Sequence, residues 1–194
     1  MKNTHCHSKE HAAKKIDILD NPKRREALPP EKIFNRIPIK KTDTILDVGA
    51  GTGFLTIPVA TLVEEGVVYA LDADPHMIEI IHAKAHNEKI NNIQTIKGTV
   101  EHMPLSEGSV DIVLASLVLH EIQPLPKVLQ KIKHVLKQNG YFVCIEIESE
   151  ETPESGPHRI PSETMEQQLI QAGFHVKEKI KPTDTLYIMI AQNI

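Results

Sequence analysis

From residue 44 onward the chain alternates between short apolar runs and longer amphipathic stretches. Residues 44–48 (TILDV) form a brief apolar run ending at glycines, the pattern of a buried strand. Over 54–63, Phe54, Ile57, Val59, Ala60 and Leu62 recur mostly at helical spacing. A second buried strand, 67–71 (VVYAL), runs straight into Asp72. Asp74 and Pro75 suit the cap and first turn of the next helix, whose apolar face is Met77, Ile78, Ile81 and Ala85. Residues 93–96 and 110–114 (VDIVL) predict a third and a fourth strand. Leu125, Val128, Leu129, Ile132, Val135 and Leu136 keep helical spacing throughout, and Asn139-Gly140 stops that helix before a fifth strand at 141–147.

Strand and helix alternating five times predict βαβ units and a parallel sheet covered on both faces. Three prolines and a glycine make 149–161 a loop; a helix follows at 163–172, capped by Gly173. Strands are expected at 174–180 and 185–191. The link between them, 181–184, is too short for a parallel crossover, so the two must pair antiparallel. The expected fold is an α/β, Rossmann-like open sheet of seven strands, mostly parallel, with one antiparallel strand near the end and helices on both faces.

Composition narrows the class. With 194 residues, 40% of them hydrophobic, the chain can close one sizeable core. Cys6 and Cys144 are its only cysteines and lie far apart, which excludes a disulfide framework and points to a cytoplasmic protein. No apolar run approaches the ~20 residues that span a bilayer, and 1–11 lacks the apolar segment of a secretion signal. Charge is partitioned: residues 1–41 carry a balance of +6 and the remainder -10. The basic arm, 1–38, is therefore read apart from the body, 39–194. It could meet an anionic ligand or fold back onto the acidic body.

The chemistry concentrates at Asp47-Val48-Gly49-Ala50-Gly51-Thr52-Gly53, between the first strand and the first helix. Glycines there let backbone approach a ligand closely, beyond the carboxyl ends of the strands. The spacing is G-x-G-x-G, and Phe54 stands where a dinucleotide loop would carry its third glycine, which argues against a nicotinamide cofactor. Asp72, at the end of the second strand, can accept both hydroxyls of a ribose, because Asp74 is the better helix cap.

Together these segments resemble the class I S-adenosylmethionine-dependent methyltransferases, in the branch of the ubiquinone/menaquinone-biosynthesis type (methyltransferase type 11). ILDVGAGTGF is similar to their first motif and YALDADPHMIEIIHAKA to the segment with the ribose-binding acid. GTVEHMPL followed by GSVD looks like the adenine-side loop, and LKQNGYFVCIEI like the fifth strand. The resemblance implies S-adenosyl-L-methionine as cofactor and S-adenosyl-L-homocysteine as product. It implies a binding set of Asp47, Gly49, Ala50, Gly51, Gly53, Phe54, Asp72, Ala73, Met77, Thr99, Val100, Glu101 and Ser116. In that set the glycines pass the methionine moiety, Asp72 holds the ribose, and Ala73 and Met77 line the adenine. Thr99 stands where many relatives carry Asp. The arm is expected to fold over the cofactor and build part of the acceptor pocket.

Methyl transfer by in-line displacement rests chiefly on positioning, which can remove ~7–11 kcal/mol of barrier, so no triad is required. Candidate bases are His120 and Glu121, just beyond the fourth strand, although His120 would equally cap the following turn. Glu148 and His158 could meet the substrate from the proline-rich loop, or simply be solvated there. A polar terminus accounts for His5, Cys6, His7 and His11, and no metal site is expected. His82 and His86 lack an accompanying H-E-x-x-H motif, and Cys144 reads as core. After the fourth strand, Ala115-Ser116-Leu117-Val118 replaces the Asn/Asp-Pro-Pro-aromatic motif of amino-group methylases, and no Pro-Cys pair is present. Trp is absent, so a stacking platform for nucleic acid is not expected. A small-molecule acceptor is the remaining class. The alternatives are a nicotinamide-dependent oxidoreductase and a catalytically silent cofactor-binding module. Nothing in the sequence specifies an oligomeric state.

Overall fold

The computed structural model describes residues 16, 19–148 and 159–194. Seven strands form one sheet: β1 (Thr44–Val48), β2 (Val67–Asp72), β3 (Ile93–Lys97), β4 (Val110–Ser116), β5 (Leu136–Ile147), β6 (Phe174–Thr183) and β7 (Leu186–Asn193). Their order is β3-β2-β1-β4-β5-β7-β6. Neighbours among β1 to β5 pair parallel, and β7 runs antiparallel to both β5 and β6. The chain therefore has the Rossmann-like, mostly parallel sheet that the alternation predicts.

The α-helices with both ends among the described residues are α1 (Pro22–Ala27), α2 (Pro30–Phe34), α3 (Thr56–Ala60), α4 (Pro75–Asn87), α5 (Leu125–Val135) and α6 (Ser162–Gln171). Two apolar clusters lie on opposite faces of the sheet. One holds α5 and α6 through Leu125, Leu129, Ile132, Met165 and Leu169 against Leu46, Val113 and Phe142. The other packs Leu28, Ile33, Phe34 and Ile37 of the arm, with Leu55 and Val59, against Ile45, Ile112 and Val143. Each fully buried side chain of this kind contributes ~1.5–3 kcal/mol of transfer free energy. The latter half of the arm is thus part of the core.

Two boundaries differ from the periodicity. Leu136 fits the apolar stripe of α5, but its backbone is extended (φ -71, ψ 133) and it pairs with Val110 as the first residue of β5. Lys137 anchors that early start by donating to both carboxylate oxygens of Asp111, at 2.9 and 2.7 Å. At the first crossover, α3 is only five residues long; Phe54 precedes it, and Leu62 falls beyond it and is exposed. Asp74 does cap α4, accepting from the His76 amide at 2.9 Å.

Register sets up the site. Val48 of β1 lies opposite Leu71 of β2 on one side and Ala115 of β4 on the other. The residues that follow, Gly49, Asp72 and Ser116, therefore emerge together at the carboxyl ends of the strands. Strand order reverses there, between β1 and β4, which opens a crevice.

Candidate functional site

A cavity of about 340 Å³ occupies this crevice. That is the volume range of small-molecule sites. Its walls include Asp47, Gly49, Ala50, Gly51, Phe54, Asp72, Ala73, Thr99, Val100, Glu101, Ser116 and Glu121, all candidates from sequence. Leu19 and Arg24 of the arm, Leu117, Val118 and Ile122 also line it. Three candidates sit elsewhere. Met77 is wholly buried on α4. Gly53 faces a neighbouring cleft, where a Cβ would press on Ile57 and Ile81 at 3.1 and 3.3 Å. His120 turns away from the cavity toward β5. His5, Cys6, His7, His11 and His158 lie outside the described residues. Among those residues no group of three or more metal-ligating side chains occurs.

The glycine loop is held by its own backbone and by Asp72. Ala50 N–H donates to the Leu71 carbonyl at 3.0 Å and Gly51 N–H to Asp72 Oδ2 at 2.7 Å. Asp72 Oδ1 accepts from the Asp74 amide at 2.9 Å. Asp72 is therefore engaged rather than free, but each oxygen keeps acceptor capacity toward the cavity it lines. Gly49 has φ +62, and Val118 packs directly on it: a Cβ there would lie 2.3 Å from Val118 Cγ2. Glycine is required for both reasons.

Asp47 is buried beneath the loop and accepts from Thr56 Oγ at 2.6 Å. Burial pushes its pKa up to about 7, against the opposing hydrogen bond from Thr56. An acid whose folded value exceeds its unfolded value binds more protons when folded, so this group costs stability as pH rises through 4 to 7. The Asp47→Asn variant is expected to gain stability relative to wild type as pH is raised from 5 to 8, read from urea unfolding. A pH-independent difference, or one of opposite slope, would refute this.

Beyond β4 the backbone turns sharply at Leu117 (φ +56) into a short 3₁₀ turn, Leu119–Glu121. A carboxylate that sequence reasoning did not single out holds this turn. Glu146 of β5, 1% exposed, accepts from Val118 N–H at 3.0 Å and Leu119 N–H at 2.7 Å through Oε1. Its Oε2 meets His120 Nδ1 at 2.7 Å. The hydrogen bond to Glu146 raises the His120 pKa above its ordinary value, burial opposing. His120 Nε2 lies 4.0 Å from Glu121 Oε1, so the imidazole is bracketed by two carboxylates. The readable signal was a charged residue in the otherwise apolar run Cys144-Ile145-Glu146-Ile147. Glu148 serves the start of α6 instead. It accepts from the Ser162 amide at 2.9 Å and pairs with Lys181 at 2.9 Å, and its pKa falls to about 2.

The arm closes the cavity from above. Asp20 Oδ1 accepts from Thr52 Oγ at 2.6 Å and from Lys84 Nζ at 2.9 Å, and Lys84 also donates to the Thr52 carbonyl at 2.8 Å. Arg24 lies over the Phe54 ring, 4.0 Å from its centroid, and donates from Nη2 to Ser116 Oγ at 3.0 Å. This contact joins arm to sheet across 92 residues of sequence. Phe54, the residue that breaks the dinucleotide pattern, is thus the platform for Arg24.

The sheet order, with its antiparallel β7 and a glycine loop held to a strand-end carboxylate at the switch point, is that of the class I methyltransferase fold. The chain belongs to the family described as methyltransferase domain, whose model matches residues 39–188. An S-adenosylmethionine-dependent methyltransferase from Aquifex aeolicus superposes with TM-score 0.84 at 28% identity, covering 93% of this chain and 98% of that one. An uncharacterized methyltransferase of Bacillus subtilis, YcgJ, is 28% identical over 109 residues, 56% of this chain and 42% of its own. A demethylmenaquinone methyltransferase of Lactococcus lactis is 36% identical over 104 residues, 53% of this chain and 41% of its own. The chain spans about half the length of such curated relatives.

The residues present fit S-adenosylmethionine. Asp72 offers carboxylate oxygens at one end, Gly49 and Gly51 border the cavity without side chains of their own, and a buried Arg24 Nε has no partner at the other end.

Proposed function

We propose that this protein transfers the methyl group of S-adenosylmethionine to a small-molecule acceptor by in-line displacement, leaving S-adenosylhomocysteine. The observation that carries the reading is the convergence of the glycine loop, Asp72 and Ser116 on one cavity at the β1/β4 switch point. When bound, the cofactor supplies a methyl activated by its sulfonium charge. The chain's own work is positioning. Asp72 fixes the nucleoside end, and Ala73, Thr99, Val100 and Glu101 form the wall beside it. The arm and the 117–122 turn keep water from the other end. Of the two candidate bases, Glu121 lines the cavity and is the group placed to take a proton from the acceptor, an effect of ~10²–10⁴-fold where the acceptor must lose one, while His120 is turned toward Glu146 and holds the turn.

The likeness to demethylmenaquinone methyltransferases supports the ubiquinone/menaquinone-type branch, and the lack of paired cysteines supports a cytoplasmic location. Among the described residues no helix is long and apolar enough to cross a membrane.

The test is calorimetric titration of wild type and Asp72→Ala with S-adenosylmethionine, S-adenosylhomocysteine and NADH. Binding of the first two, weakened by roughly 1–3 kcal/mol in Asp72→Ala, is expected from loss of hydrogen bonds to a buried charged acceptor. Binding of NADH alone would replace this reading with an oxidoreductase. Transfer of a labelled methyl to a small-molecule fraction separates a working enzyme from a silent cofactor binder.

A further inference from the structure

We infer that Arg24, on the basic arm and outside the matched methyltransferase domain, is the receptor for the carboxylate at the amino-acid end of the cofactor. The inference rests on the cofactor reading above and adds a residue that the glycine loop and Asp72 do not imply.

Arg24 is a partly buried cation with no ion-paired carboxylate among the described residues. Of its donors, Nη1 reaches the Leu19 carbonyl at 3.2 Å and Nη2 reaches Ser116 Oγ at 3.0 Å, both neutral acceptors. Its Nε is buried with no partner, and one face of the guanidinium is covered by the Phe54 ring. Among the described residues no carboxylate forms an ion pair with it: Asp47 is hydrogen-bonded to Thr56, and Asp20 to Thr52 and Lys84. Burial accordingly lowers the Arg24 pKa, with Asp47 and Asp20 opposing from a distance. A partly desolvated charge with a buried, unsatisfied donor is costly, and a planar guanidinium is suited to a carboxylate taken by two parallel N–H bonds.

Place and direction agree. The cavity runs from Asp72 and Ala73, where a ribose would be held, to Ser116 and Arg24 at the far wall. A ligand with its diol on Asp72 therefore presents its other end to Arg24. The arm is pinned so that Arg24 stays there, by Asp20 on Thr52 and Lys84 and by Leu19 against Gly51, where an added Cβ would lie 3.1 Å from Leu19 Cδ1. A carboxylate on the acceptor is the other source of the same chemistry, and the ligands below separate the two.

The experiment is calorimetric titration of wild type, Arg24→Ala and Arg24→Lys with S-adenosylhomocysteine and with 5′-methylthioadenosine. The second ligand keeps the adenosine thioether and lacks the amino acid. Arg24→Ala is expected to weaken S-adenosylhomocysteine on the order of tenfold to a hundredfold, as for a charge-assisted hydrogen bond, while 5′-methylthioadenosine stays within about twofold. Arg24→Lys should recover part of the loss. Retained 5′-methylthioadenosine binding also shows that the pocket is folded. Equal weakening of both ligands would make Arg24 a structural clamp and overturn the inference. No weakening of either would also overturn it and leave an acidic acceptor as the anion. Failure of wild type to bind either ligand would instead sink the cofactor reading itself.

Discussion

Glu146→Ala is expected to destabilise the fold by about 3–5 kcal/mol, the cost of removing one partner from a buried charged pair. The change leaves the Val118 and Leu119 amides without an acceptor and takes the counter-charge from His120. A buried donor left unsatisfied costs ~1–3 kcal/mol by itself. Urea unfolding monitored by circular dichroism measures the loss, and a change below about 1 kcal/mol would show that the turn does not depend on Glu146. Glu146→Gln separates charge from shape. His120 has a folded pKa above its ordinary value of 6.5, through its hydrogen bond to Glu146. The stability contributed by that pair is complete below pH 6.5 and fades as pH rises through the raised value. The gap between wild type and Glu146→Gln should therefore be widest on the acid side of 6.5 and narrow above it. A gap constant with pH would assign Glu146 to the amides alone.

Gly49→Ala is expected to remove both stability and cofactor binding. Its φ of +62 costs a residue with a Cβ ~1–2 kcal/mol. The new methyl would also meet Val118 Cγ2 at 2.3 Å and Cβ at 2.8 Å, an overpacking that typically costs ~1–3 kcal/mol. Gly108→Ala is the control, since Gly108 has φ +58 and nothing within 4 Å of an added Cβ. It should show the conformational cost alone and leave S-adenosylhomocysteine binding unchanged. Combining Gly49→Ala with Val118→Ala should recover part of the overpacking cost but none of the conformational one. If Gly49→Ala and Gly108→Ala prove equally mild in urea unfolding, the close packing of the 117–122 turn on the loop is wrong.

The parallel core was legible because β1, β2 and β4 are mostly buried and read as short, largely apolar runs. The start of β5 was not, because Leu136 satisfies the helical stripe and the residue that draws it into the sheet, Asp111, acts on its neighbour Lys137 from another strand. The floor of the site followed from local sequence: glycines and Asp72 at strand ends carry their meaning with them. Its lid did not. Arg24 is one of 11 basic residues in the first 41, and what sets it apart is Ser116 and Phe54, which only folding brings near. His120 and Glu121 are adjacent in sequence, yet a 3₁₀ turn sends one toward Glu146 and the other toward the cavity rim. Periodicity over three residues cannot foresee that division.

The flush ends of β1, β2 and β4 make the site a matter of counting as much as of chemistry. Gly49, Asp72 and Ser116 meet because each follows a residue in one row across the sheet, Val48, Leu71 and Ala115. Inserting or deleting one residue within any of these strands would shift that row and turn alternate side chains from one face to the other. Substitutions along the strands leave the row in place. Drift in residue identity is thus tolerated where drift in strand length is not.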